Sequence, residues 1–245
     1  HLFVRNGNTL LPTLFATELY QAADDIIMKV GLFLSKKSES IRTKIVMGTT
    51  LTLSLLIVPV VTKMMLDDFP ECSLLHYEES ASDAQLKEKL NLRQTDIIFS
   101  PSKIETSSLT SKKIFDMDIV LVSGSDEKKK ITLAELQQAD LVSLNGTGDL
   151  FVYYSHEIQR NYNLKPRRLL TSSLESMVSL IASSHLMGFI PDKLFALYKD
   201  KFRIYVRDSE IKTPVVNIYM TYRKEMEQEE MPGRILEGIR GLFAT

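Results

Sequence analysis

A single cysteine, Cys72, rules out a disulfide framework and any cysteine-based metal motif. It follows Pro70-Glu71 at the entry to an apolar run and reads as a buried thiol rather than a redox sensor. Histidine is sparse as well. His1, His76, His156 and His185 are scattered without ligand spacing, so no metal site is expected. No charge of either sign is in excess: 30 Lys and Arg face 31 Asp and Glu, a net charge of −1. A domain that grips DNA alone usually carries a basic footprint, and this chain has none. Its basic clusters, Lys128-Lys129-Lys130 and Lys165 with Arg167-Arg168, read as solvated turns. The apolar run Leu51 to Val61 is too short to span a bilayer and contains Pro59, so it reads as buried helix. No signal peptide is visible, which points to the cytoplasm and away from a membrane.

Catalytic signatures are missing too. Asn145-Gly146-Thr147-Gly148 lacks the Gly-Lys-Ser/Thr ending of a phosphate-binding loop and the spacing of a dinucleotide fingerprint. Ser184-His185 with Asp192 lacks a nucleophile elbow. No catalytic residue, metal or cofactor is therefore expected. What remains is ordinary for a globular protein: 44% apolar and 25% charged residues in a length suited to one or two units.

The chain opens on a hairpin pattern. Leu2 to Arg5 reads as a strand, Asn6-Gly7 as its turn, and Asn8 to Leu11 as the return. A lone hairpin is marginal in water, and the chain has no initiator Met, so the hairpin is expected to belong to something N-terminal to it. Thr13 then caps a long helix. Phe15, Leu19, Ala22, Ile26, Val30 and Phe33 step by three or four residues along one stripe. Leu19, Ile26 and Phe33 fall at heptad spacing, and the reading is a dimer seam carried by Phe15, Leu19, Ile26 and Phe33. The polar stretch Ser35 to Thr43 reads as an exposed hinge.

Beyond it, strand and helix patterns alternate. The first set has strands at Lys44–Met47, Ser73–Tyr77 and Asp96–Ser100, with helices at Leu51–Phe69 and Asp83–Leu90. A β-rich segment covers Ile114 to Val122. The second set has helices at Leu133–Gln138, Leu150–Tyr162, Leu174–Ser183 and Asp192–Tyr198, and strands at Asp140–Leu144, Arg167–Leu170, Met187–Ile190 and Phe202–Val206. A strand at Pro214–Tyr222 and a helix at Arg234–Phe243 finish the chain. Repeated βα units predict parallel sheets covered by helices. Two such sets, joined by two extended segments, predict an α/β protein of two lobes with chain crossings between them.

In open α/β sheets ligands bind beyond the carboxyl ends of the strands. Four segments put small hydroxyl side chains there: Thr49 and Thr50; Ser100 and Ser102; Thr147 within Asn145-Gly-Thr-Gly; and Ser172 and Ser173. Ser172 with Glu175 reads as a capping box. Helix capping alone explains any one of these segments. Their coincidence, two from each lobe, predicts an interlobe cleft that they line, and helix N-termini there favour polar or anionic groups.

Several of these stretches resemble LysR-type transcriptional regulators. Leu2-Phe3-Val4-Arg5 with Pro12-Thr13 and Ala16 is similar to that family's "LFxR … PT..A" at the wing and linker helix. Lys44-Ile45-Val46-Met47-Gly48, Val58-Pro59, Asp68-Phe69-Pro70, Leu92 with Thr95-Asp96-Ile97-Ile98, and Ile181 to Pro191 follow the order of its effector domain. Ala182-Ser183-Ser184-His185-Leu186 stands where most members have "AAGLG", and Ser125-Asp126 where His-Pro is usual. Both helix-end glycines are gone, so a non-glycine cap is required. The replacement is similar to the branch with nodulation and leucine-operon regulators.

The resemblance implies a two-lobed, type 2 periplasmic-binding-protein-like effector domain preceded by a long linker helix. Residues 1–12 would be a remnant of a winged helix-turn-helix, and 13–43 a dimerisation helix and hinge. The effector domain would be 44–245, with lobe I about 44–118 and 212–245 and lobe II about 119–211. A small-molecule inducer between the lobes would reset a homodimer or homotetramer on operator DNA, which the absent N-terminal domain would read. Arg5 is a candidate phosphate contact. The alternative on the same fold is a transporter's solute-binding protein, against which the helix from Thr13 to Leu34 argues.

Overall fold

A computed structural model describes residues 2–6, 9–35, 44–78, 82–145, 150–165 and 169–243. The chain divides into two units, 1–42 and 43–245.

In the first unit, β1 (Phe3–Asn6) pairs antiparallel with β2 (Thr9–Pro12), and α1 runs from Leu14 to Ser35. Asn6 pairs with Thr9. The loop is therefore 7–8, one residue later than the expected Asn6-Gly7, and it lies outside the described residues. Thr13 is the N-cap: its hydroxyl accepts from the Ala16 amide at 3.2 Å and donates to the Leu2 carbonyl at 3.1 Å. One side chain thus starts the helix and ties it to the hairpin.

The described residues of the second unit form nine strands: β3 (Lys44–Thr49), β4 (Ser73–Glu78), β5 (Ile97–Ser100), β6 (Leu109–Ser123), β7 (Val142–Leu144), β8 (Leu169–Thr171), β9 (Met187–Pro191), β10 (Tyr205–Val206) and β11 (Val215–Arg223). Its helices are α2 (Leu51–Asp68), α3 (Asp83–Asn91), α4 (Leu133–Gln138), α5 (Leu150–Asn161), α6 (Leu174–Ser183), α7 (Asp192–Phe202) and α8 (Glu230–Phe243). A 3₁₀ turn covers Lys224–Gln228.

β6 organises the unit. Over Leu109–Asp118 it pairs antiparallel with β11, which pairs antiparallel with β5; β5, β3 and β4 are mutually parallel. From Ile119 onward β6 pairs instead with β9, and its last two residues pair with β10. The partner changes between two consecutive residues. β9 bridges in parallel to Leu141 through Met187, next to the parallel pair β7–β8. Two sheets thus share one strand, and neither is purely parallel as the βα repeats suggested. The antiparallel members are the long segments that cross between them.

Burial explains why the helices pack where they do. α2 turns Leu53, Leu56, Ile57, Val61 and Met65 inward and runs through Pro59 without ending. An interior proline costs about 3 kcal/mol. Five buried apolar side chains at roughly 1.5–3 kcal/mol each offset it. Leu86 and Leu90 of α3 bury a smaller cluster with Ile98, Ile104 and Leu109. The end of α6 lies so close to β6 that a Cβ on Gly124 would sit 2.4 Å from the Ile181 carbonyl oxygen. Only glycine fits there.

The helix ends are mostly built from side chains. Ser82 with Gln85 and Thr132 with Glu135 form capping boxes at α3 and α4. The Thr132 amide and hydroxyl both donate to the Glu135 carboxylate, and these bonds lower its pKa to about 2. At the end of α6, Ser183 and Ser184 donate their hydroxyls to the Ser179 and Leu180 carbonyls. Serine does the capping there without glycine's left-handed turn. Cys72 is half-buried, not buried as expected.

Candidate functional site

Strand directions decide which edges face each other. β11 is antiparallel to both β5 and β6, so β6 runs the same way as β3, β4 and β5. The carboxyl ends of β3 and β5 therefore point along β6 toward its second half. β9 runs antiparallel to β6 and ends with Pro191 opposite Ile119; β7 and β8 follow β9's direction. Their carboxyl ends point back toward the first half. In register, Ser100 is level with Tyr219 and hence with Lys113. From 113 to 119 is six residues along β6, roughly 20 Å at strand rise. The two carboxyl edges thus point toward each other along β6.

The expected residues sit at these edges in different environments. Thr49 ends β3 and is fully buried; its hydroxyl lies 2.7 Å from Nε2 of His76 on β4. Ser100 ends β5, is buried, and donates to the Ser102 carbonyl at 3.1 Å. Both hydroxyls are committed to the fold. Thr50 and Ser102 are half-buried. Thr50 caps α2 with a long 3.5 Å contact from the Leu53 amide, which leaves its hydroxyl able to donate elsewhere.

At the opposite edge Ser172 and Ser173 are exposed. The capping residue of α6 is Ser173, accepting from the Ser176 amide at 3.2 Å, and not Ser172 with Glu175. The cap moves on by one residue and forms no box, and the Ser173 amide is bonded back to the Thr171 hydroxyl. The Asn145 amide donates to the Thr171 carbonyl at 2.7 Å, which joins the ends of β7 and β8. Thr147 lies outside the described residues.

His76 is the edge residue that spacing did not single out. It is half-buried, and burial lowers its pKa from 6.5 against the opposing pull of Glu78. Which of the two groups donates is set by the tautomer of the neutral ring. The fold favours the neutral imidazole, so its contribution to stability is complete above the ordinary pKa and is lost as pH falls through the lowered folded value. A ring-proton NMR titration is expected to give His76 a midpoint below 6.5, moving on Thr49→Val. A midpoint at or above 6.5 contradicts the burial of the ring.

Among the described residues no cluster of His, Cys, Asp and Glu could hold a metal ion. No described helix is long and apolar enough to cross a membrane. The cavities lined by described residues include two away from the strand ends. One of ≈ 240 Å³ lies between the end of α5 and Lys212–Pro214; one of ≈ 560 Å³ lies between β6, α7 and α8. Neither is lined by the expected hydroxyl residues.

Residues 38–239 match the family model of the LysR substrate binding domain. The chain belongs to this family. No curated protein matches it in sequence. Solved structures of LysR-type and other regulators share its fold. OxyR of Corynebacterium glutamicum, in a mutant form, is 17% identical with a TM-score of 0.65, covering 99% of this chain and 79% of its own. A probable transcriptional regulator of Pseudomonas aeruginosa is 13% identical with a TM-score of 0.71, covering 98% and 81%. The regulatory domain of MetR, a LysR family regulator of N. meningitidis, is 14% identical with a TM-score of 0.64, covering 81% and 92%. Nothing among these favours a transporter's solute-binding protein. The two sheets sharing β6 are the two lobes of the LysR domain's type 2 periplasmic-binding-protein-like fold.

In α1, Phe15, Leu19 and Ile26 are exposed within the chain. Phe33 lies on the same helix with its side chain outside the described residues. Arg5 is exposed on β1.

Proposed function

We propose that the chain is the inducer-sensing and self-associating part of a LysR-type regulator, without catalysis of its own, acting in the cytoplasm. Residues 44–118 and 212–245 form lobe I and 119–211 lobe II, preceded by a dimerisation helix and hinge at 13–43 and a wing remnant at 1–12. A small-molecule inducer binds between the lobes. Thr50 and Ser102 contact it from lobe I; Thr147, Ser172 and Ser173 contact it from lobe II. Thr49 and Ser100 hold that rim in place from beneath. The observation that carries this reading is the opposition of the two carboxyl edges along β6, each bearing hydroxyls at a helix start. Binding changes the oligomer only by its differential affinity for the two geometries. Operator DNA is read by a winged helix-turn-helix N-terminal to the chain, with Arg5 as a backbone contact.

The test is a thermal-shift screen of small polar metabolites followed by calorimetry, since a ligand bound only by the native state raises its melting temperature. Thr50→Val removes one hydroxyl at nearly constant volume. With the hit from the screen it is expected to lose about 0.5–1.5 kcal/mol of binding with folding intact. Unchanged affinity in Thr50→Val, Ser102→Ala and Ser173→Ala together rejects the cleft.

A further inference from the structure

Asp192 does something that a helix-opening aspartate does not need to do. It is the first residue of α7, where a carboxylate commonly turns back on the helix amides. Here the N-cap position belongs to Pro191, which makes no side-chain cap bond. The Asp192 carboxylate instead reaches across to β6 and accepts from the Asp118 amide at 3.0 Å. Asp118 is the last β6 residue paired with β11, and the next, Ile119, is the first paired with β9.

The backbone ladder stops at this point for a covalent reason. Pro191, opposite Ile119, has no N–H, and the chain then turns into α7. The Asp192 side chain supplies one more acceptor where the strand has ended. It joins a lobe II helix to the last lobe I residue of the shared strand, across the change of partner. Beside this stitch is the ≈ 560 Å³ cavity between α7 and α8, lined by Asp118 and Asp192 themselves. On its far side Arg240 of α8 donates to the Lys113 carbonyl, at the bulge where Ile114 has no partner on β11.

We propose that Asp192 is a hinge strut: one carboxylate, bonded to the Asp118 amide, that limits the swing of lobe II about β6. The inference rests on the two-lobe reading above and needs no ligand, so it stands or falls separately from inducer binding. α7 also carries the motion to the proposed cleft. Lys201 at its end pairs with Glu175 in the first turn of α6, next to Ser173. A swing of α7 therefore moves that rim.

The experiment places spin labels on α3 and α5 through Glu88→Cys and Arg160→Cys in a Cys72→Ser background of the 245-residue chain. Labelled chain is mixed with an excess of unlabelled Cys72→Ser chain so that only distances within one chain are counted, and interlobe distances are then read by double electron–electron resonance. Asp192→Asn keeps an acceptor and is expected to give the parent's narrow distribution. Asp192→Ala, and Asp192→Ser, whose side chain suits a helix start but falls short of the amide, are expected to broaden it while unfolding stays cooperative. Equal widths in all four proteins overturn the strut. So does broadening in Asp192→Asn as large as in Asp192→Ala, or loss of cooperative unfolding in Asp192→Ser, which would make the carboxylate a prop of the fold rather than of the angle.

Discussion

Replacing Leu19 and Ile26 together by glutamate is expected to reduce the chain to a lower oligomer at concentrations where the parent associates. Leu19 and Ile26 are 48% and 61% exposed within one chain, and Phe15 between them and the hairpin is 63% exposed. Water meets these three apolar side chains of α1 unless a second copy covers them. Burying a leucine or isoleucine is worth roughly 1.5–3 kcal/mol. Losing two at the low end costs about 3 kcal/mol, on the order of a hundredfold in affinity. Four carboxylates brought together across a two-fold seam add repulsion to that loss. Sedimentation velocity over a concentration series reads the outcome. A double variant that sediments as the parent does removes α1 from the interface.

Arg223→Met is expected to be the most destabilising single change in lobe I. The side chain is 7% exposed, and its guanidinium holds five partners. It donates to the carbonyls of Leu90 and Thr95 at 3.1 and 3.0 Å, to Asp96 at 2.8 Å and to Glu225 at 3.0 Å, and touches the Met226 sulfur. The other oxygen of Asp96 accepts from the Val46 amide at 2.9 Å. One arginine thus ties the end of β11 to the end of α3 and, through Asp96, to β3. Methionine keeps the bulk but leaves a carboxylate 14% exposed without its cation. Breaking a buried pair from one side costs about 3–5 kcal/mol. Urea unfolding is expected to show a lower midpoint with an unchanged slope, and Asp96→Asn in the same chain is expected to recover part of the loss. A midpoint shift within error of the parent's would show the network to be dispensable.

These two predictions differ in how far the sequence alone leads to them. The stripe on α1 is periodic, so its spacing is enough to find it. The Arg223 network joins residues more than a hundred positions apart, and no local pattern announces it. The same division runs through the site. Hydroxyls after strand ends are visible as Ser and Thr at βα junctions, and Thr50 and Ser173 do cap helices there. That Thr49 is buried against His76 depends on the register of β3 with β4, which spacing does not fix. Boundaries slipped where two signals compete. α8 begins at Glu230 rather than at Arg234, because Pro232 in a first turn needs no N–H partner. β6 begins at Leu109 rather than at Ile114, because Leu109 to Ser111 are buried ahead of the more exposed Lys112 and Lys113. The hairpin register falls one residue later than expected, with Asn6 paired to Thr9.

The shared strand also sets an order of assembly. Lobe II's strands pair within the continuous stretch from Ile119 to Val206, so a growing chain can complete that half early. Lobe I cannot close in the same way. β11 fits between β5 and β6 and arrives last; the hydroxyls of Ser111 and Thr221 that meet there are 110 residues apart. Until Arg223 has been synthesised, β5 and the first half of β6 each present an open edge to any other extended segment. Pairing over such separations is slow, because a long loop must close before any contact rewards it. The half-made lobe I is therefore the stage at which the nascent chain is most exposed to mispairing with a neighbour and most in need of a chaperone that covers strand edges.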